Sequence, residues 1–197
     1  MAEADRSIWV WRLAMPQDWA WNDSPQPRAA FGEARIFEVR ELFQNNCLRQ
    51  GWGTFGHDIR QPYDIWFRNA VPQAMGSPRV PGQQVTPESA PERYRILRLM
   101  VEMRPGDAIF VPNVSPTVLP IDHSSFTIVT VDAPYDFEDR RQIIGPLWQQ
   151  DFSHFEMVRY LRTFPNTALN VPLRNWRKAV NPVQDTRLRR FLQGNYW

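Results

Sequence analysis

Two tryptophans sit in settings suited to holding a flat ligand. Trp52 lies between glycines in the run Gly51-Trp-Gly-Thr-Phe-Gly56, where the missing side chains let another group approach the backbone closely. Trp148 lies in Gly145-Pro-Leu-Trp-Gln-Gln-Asp-Phe152, a polar stretch around one large indole, with Phe152 close behind. Two indoles can sandwich an aromatic ring, and each stack of a nucleobase on such a side chain contributes about 1–3 kcal/mol. A methyl group on that ring adds only about 0.8 kcal/mol by burial, so sharp discrimination also needs steric fit and hydrogen bonds to the ring edge. The alternative for both tryptophans is ordinary core packing.

The cationic residues are suited to the same chemistry. Of the 23 lysines and arginines, only Lys178 is a lysine. Arginine forks onto phosphates, stacks on bases and stays charged; a GC-rich coding sequence produces the same bias. The net charge is only +2, so any basic surface is local. Candidates for phosphate contact are Arg60 and Arg68, near Trp52, and Arg187, Arg189 and Arg190 towards the end of the chain. The alternative for each is a solvated surface charge. Trp19, Trp21 and Trp66 either rim a pocket or pack beneath it.

Other chemistries are poorly provided for. Lys178 follows Trp176-Arg177, which fits neither a phosphate-binding Gly-Lys-Ser/Thr loop nor a carboxylate–lysine nuclease core, and no Gly-x-Ser-x-Gly elbow occurs. One cysteine, Cys47, excludes a multi-cysteine zinc site and a disulfide framework. Asp122-His123-Ser124-Ser125 reads as a turn held by its own side chains, because neighbours in sequence rarely face one another as a catalytic triad requires. His57-Asp58 lacks further metal ligands, and His154, just before a strand, is expected to meet backbone or solvent. The expectation is a protein without catalytic residues, metal or cofactor.

The elements that position these residues follow from pattern. Ile8-Trp-Val-Trp-Arg-Leu13 predicts a strand. Residues 15–30, with Pro16, Pro25 and Pro27, predict a loop carrying Trp19 and Trp21. Ile36, Val39, Leu42, Phe43 and Cys47 recur at helical spacing and predict a helix over Glu33 to Gln50, stopped by Gly51, with Cys47 in the core. Residues 69–92 hold five prolines and no periodicity, and predict a long surface insertion. A helix follows, with Ser89 as N-cap, Pro91 in its first turn and Tyr94, Leu97 and Val101 on one face. Arg104-Pro-Gly-Asp107 predicts a turn, with strands at Ala108–Pro112, Phe126–Val131 and Phe155–Leu161. In the last, Phe155, Met157, Arg159 and Leu161 alternate with Glu156, Val158 and Tyr160. Helical patterns around Leu173–Val180 and Asp185–Gln193 close the chain. The 197 residues are thus expected to form a single α+β domain, a small curved sheet or barrel with helices packed on it. No apolar run nears the roughly 18 residues a membrane span needs, and the opening Met-Ala-Glu-Ala-Asp-Arg-Ser lacks the pattern of a signal peptide, so a cytoplasmic protein with no membrane partner is expected.

The block from Trp148 through Phe155-Glu-Met-Val-Arg159-Tyr160 to Phe164-Pro-Asn166-Thr-Ala-Leu169 resembles the late segment of YTH domains. There a tryptophan-bearing loop leads into a strand reading roughly Phe-x-Val-Arg-Trp, followed by a Val-Pro-Asn-x-x-Leu turn. Gly51-Trp52 stands where YTH domains carry their first cage tryptophan. Arg104-Pro-Gly106-Asp107 with its strand, and later Ala133-Pro134-Tyr135, are similar to the EVE branch of the same PUA-like superfamily. The chain departs from these patterns at Tyr160, in place of a tryptophan, at Ala133, in place of a glycine, and in the proline-rich insertion. The resemblance implies a PUA-like pseudobarrel holding a modified base in an aromatic cage, with Trp52 and Trp148 as walls and Phe152 as a third. It also implies a non-catalytic reader of N6-methyladenine, or next of a modified cytosine, in DNA. The base is flipped out of the duplex, and the domain serves as specificity module of a restriction or defence system of the McrB or Mrr kind. Nuclease or NTPase activity would then belong to another domain or a partner. An RNA-binding PUA-like protein and a protein-interaction module are the alternatives.

Overall fold

Isoleucine, valine and tryptophan in succession give the extended strand β1 (Ile8–Trp11). The structure, a computed structural model, describes residues 6–13, 25–50, 57–76, 86–138, 141–144, 148–169 and 179–196. Helix α1 runs from Pro25 to Asn45, earlier at both ends than its periodicity predicts. Pro25 and Pro27 fall in its first turn, where backbone N–H groups have no helical partner and a proline costs little. Asn46, at φ 51°, turns the chain out of the helix, in the left-handed conformation that asparagine tolerates better than most residues. Cys47–Gln50 are then strand β2 and not a last helical turn, and Gly51 does not stop the helix. Cys47 is buried as expected, but on a strand.

The first part of the expected insertion is also ordered. Helix α2 spans Tyr63–Gly76, with Pro72 inside it. Helix α3 (Ala90–Arg98) starts after Ser89 with Pro91 in its first turn. The Ser89 hydroxyl caps no helical N–H; it bonds Thr86, accepting from that residue's backbone N–H at 2.9 Å and donating to its carbonyl at 3.2 Å.

Strands β3 (Ala108–Pro112), β4 (Ser125–Val131) and β8 (His154–Pro165) lie where the sequence predicts them, β8 being longer at both ends. Short β5 (Asp136–Phe137), β9 (Val180–Pro182) and a hairpin of β6 (Arg141–Ile144) with β7 (Trp148–Asp151) complete the strands described. The segment around Trp148, expected as a loop, is thus a paired strand, and Val180, expected to end a helical pattern, begins one. Helix α4 (Thr186–Asn195) follows, capped by the Asp185 carboxylate, which accepts from the Arg187 backbone N–H at 2.8 Å.

The strands other than the hairpin join in one sheet, in the order β2-β8-β4-β3-β1-β9, with β5 also on β8. Only β1 and β3 run parallel. Opposite faces of the sheet feed two cores. On one, Trp9, Trp11, Ile109, Val111, Val129, Val131 and Val158 pack with Val39 and Leu42 of α1, Trp66 of α2 and Leu97 of α3. On the other, Ile8, Val10, Phe110, Phe126, Ile128 and Phe164 pack under Leu188 and Leu192 of α4. The result is an α+β fold, a curled mixed sheet with four helices among the described residues, compatible with a PUA-like pseudobarrel. No described helix is long and apolar enough to cross a membrane.

Candidate functional site

Strand β8 organises one end of the molecule. Its first residue, His154, pairs with Gln50 of β2 on one edge and with Phe137 of β5 on the other. The chain leaving β2 and the chain arriving from β7 therefore meet at this point. Trp52 follows Gln50 by two residues in sequence, and Trp148 begins β7, opposite Ile144 of β6. Trp52, Trp19 and Trp21 themselves lie outside the described residues.

Around His154 is a connected set of polar side chains. The Tyr135 hydroxyl lies 2.7 Å from His154 Nδ1 and donates to Asp58 Oδ1 over 3.4 Å. Asp58 also accepts from the backbone N–H of Arg60 at 2.8 Å and from its Nε at 2.7 Å. The Arg60 guanidinium lies 5.5 Å from the centre of the Tyr135 ring and 3.6 Å from Asp136. Burial pushes the Asp58 carboxyl up, but the hydrogen bonds and charge of Arg60 outweigh it and hold the group below the usual carboxylate range. Burial, with the charge of Asp58, pushes the Tyr135 phenol up, so it stays protonated. His154 is fully buried, not at a solvent boundary as its position in the sequence suggests. The set thus runs from a buried imidazole to the half-exposed guanidinium of Arg60.

A second cluster fixes the approach to β8. Buried Arg49 of β2 donates to Glu41 of α1 at 2.6 Å, to the Phe152 carbonyl at 3.0 Å and to Glu138 at 2.9 Å, and stands over the Phe155 ring at 4.7 Å. Glu41 also accepts from Asn45 at 2.7 Å. One guanidinium thus ties α1, β2, the end of β5 and the entry to β8 together, a use that matches its planar fork of donors. Phe152, expected as a cage wall, is fully buried and tilted against Phe37 at 4.7 Å, so its ring lies in the interior beneath this end of the sheet.

The other expected residues divide. Trp66 packs in the core, 5.3 Å from Tyr94, and does not rim an opening. Arg68 is exposed on α2, paired with Asp64 at 3.1 Å. Arg187, Arg189 and Arg190 belong to α4, which packs against Phe164 near the opposite end of β8, so they are not brought together with Arg60. Arg187 is held by Asp185 at 2.8 Å. Asp122-His-Ser-Ser125 is the self-bonded turn its sequence suggests, Asp122 accepting from Ser124 at 2.6 Å. Among the described residues no cluster of three or more histidine, cysteine or acidic side chains is placed to hold a metal ion. Tyr135, His154 and Arg49 were not singled out from sequence for this site; the one signal for His154 was its place two residues before Glu156 and four before Val158, on one face of a strand.

No protein-family model matches the chain, and no curated protein matches it. The class therefore rests on the fold: a curled α+β half-barrel carrying a buried histidine–tyrosine–aspartate–arginine set at one end.

Proposed function

We propose that the chain is a non-catalytic reader of a modified nucleobase, N6-methyladenine first and a modified cytosine next, held in DNA as a flipped-out nucleotide. In this reading it is the specificity module of a restriction or defence system whose cleavage resides elsewhere. The observation that carries it is the pairing of Gln50 with His154, which draws the strand before Trp52 and the residues after Trp148 to one end of the sheet. Two indoles supplied from there would stack on the two faces of a base. Phe152, buried against Phe37, packs inside this end of the sheet.

Reaching a stacked base requires unpairing it, at a cost of a few kcal/mol. Stacking at about 1–3 kcal/mol per contact, together with phosphate contacts, offsets that cost. Arg60 and Arg68 are exposed cations that follow Trp52 in the sequence, and a phosphate would share them with Asp58 and Asp64.

Fluorescence anisotropy with matched duplexes, unmodified or bearing N6-methyladenine or 5-methylcytosine, tests the reading. The expected result is selective binding to one modified duplex, lost in Trp52→Ala and Trp148→Ala variants that remain folded. Equal or absent binding across the set refutes it, and the same measurement with RNA of matched sequence then decides whether the ligand is a ribonucleic acid.

A further inference from the structure

The inner side of this site holds a fully buried carboxyl. Glu156 is fully buried on β8 and pairs in register with Leu48 of β2. It shares the inner face of the strand with His154 and Val158, since alternate residues of a strand face the same way. Among the described residues neither of its oxygens has a hydrogen-bond partner. Two indole donors of the adjoining core, Trp11 Nε1 and Trp66 Nε1, also lack acceptors among the described residues.

The surroundings fix the state of this carboxyl. Apolar burial disfavours its charged form, and the negative charge of Asp107 adds to that, raising its pKa to about 9. Asp107 is itself fully engaged, accepting from Ser7 N, Arg104 N and Trp9 Nε1. At neutral pH Glu156 is therefore a neutral acid, one O–H donor beside one carbonyl acceptor. A structural role would be met by leucine without a buried polar group to satisfy, and unsatisfied buried groups of this kind concentrate at functional sites.

We propose that Glu156 is the specificity-determining residue of the site, its buried, unpartnered carboxyl pairing with a ligand edge that offers one N–H donor beside one acceptor. The inference rests on the reader function proposed above and names what is read. Adenine and cytosine carry such an edge in an amino group beside a ring nitrogen. A single methyl on the adenine amino group leaves one N–H and preserves the pairing, whereas two methyl groups remove the donor. Along β8, His154 lies between Glu156 and the end of the sheet where β2, β5 and the start of β8 meet.

The test compares anisotropy of the wild type, Glu156→Gln and Glu156→Leu on oligonucleotides carrying adenine, N6-methyladenine, N6,N6-dimethyladenine or 5-methylcytosine. The wild type is expected to bind the singly methylated adenine at least tenfold more tightly than the dimethylated one. Glu156→Gln, whose carboxamide also sets a donor beside an acceptor, should keep that ratio. Glu156→Leu should bind the singly methylated base about tenfold more weakly and lose the ratio; Glu156→Met carries the same test where leucine prevents folding. Equal affinity and an unchanged ratio in Glu156→Leu overturn the role of Glu156 and leave the reader intact. A uniform loss for every oligonucleotide, with the ratio unchanged, also overturns it. Failure of the wild type to bind any of them overturns both.

Discussion

Replacing Glu156 by glutamine should remove most of the pH dependence of stability between pH 5 and 8. In the unfolded chain this carboxyl ionises near its ordinary value of 4.5, whereas the fold holds its proton to about 9. Between those values the folded state binds one more proton than the unfolded state, so stability falls as pH rises. The slope for one group is about 1.4 kcal/mol per pH unit. Its contribution is complete below pH 4.5, declines through the neutral range and is spent above pH 9. Between pH 5.5 and 7.5 the stability of the wild type minus that of Glu156→Gln should drop by about 3 kcal/mol. Taking the difference cancels every group common to both proteins, including Asp58 and Asp185, whose carboxyls are lowered and act in more acid solution. Urea unfolding at four pH values, followed by tryptophan fluorescence, gives the curve. A flat difference would mean that Glu156 ionises normally in the fold, and would refute the account of its environment.

Three other outcomes are open to measurement. Arg49→Met should cost about 3–5 kcal/mol, because it takes the cation from the buried Glu41 carboxylate and leaves it only neutral partners such as Asn45; a urea midpoint within experimental error of the wild type would show that the clamp carries no weight, and adding Glu41→Gln should recover part of the loss. Tyr135→Phe should cost about 1–3 kcal/mol by removing the hydroxyl between His154 and Asp58, read by the same unfolding assay, with no change as the contrary result. If Arg60 and Arg68 each neutralise a duplex phosphate, alanine at either should flatten the slope of log affinity against log salt by about 0.9; an unchanged slope assigns that residue to its aspartate alone.

Strands β1, β3 and β4 were legible because they are rich in β-branched and aromatic residues, and β8 because its buried and exposed positions alternate over its first half. Strand β2 was not. Cys47, Leu48, Arg49 and Gln50 are all buried, so no alternation marks them, and Cys47 falls in phase with the preceding helix. The start of α1 was hidden by Pro25 and Pro27, which read as a loop although a first helical turn accepts both. The polar set at His154 depends on residues far apart in sequence, Asp58, Tyr135 and His154, which come together because β2 and β5 both pair with the start of β8. Glu156 was readable as sharing a face with Val158, but that this face is interior is a property of the whole sheet.

The order of strands also dictates when the fold can form. Strand β1 lies between β3 and β9, so Trp9 is flanked by Ile109 on one side and Pro182 on the other. During synthesis the run Ile8-Trp-Val-Trp11 is made before either strand it pairs with and waits for partners that emerge much later. Closing such distant pairs comes slowly, because the loop entropy is lost before the contacts form. Meanwhile an apolar ribbon with two unpaired edges stays open to other chains. Refolding should therefore succeed in dilute solution and fail by aggregation as concentration rises, with β1 as the segment that aggregates.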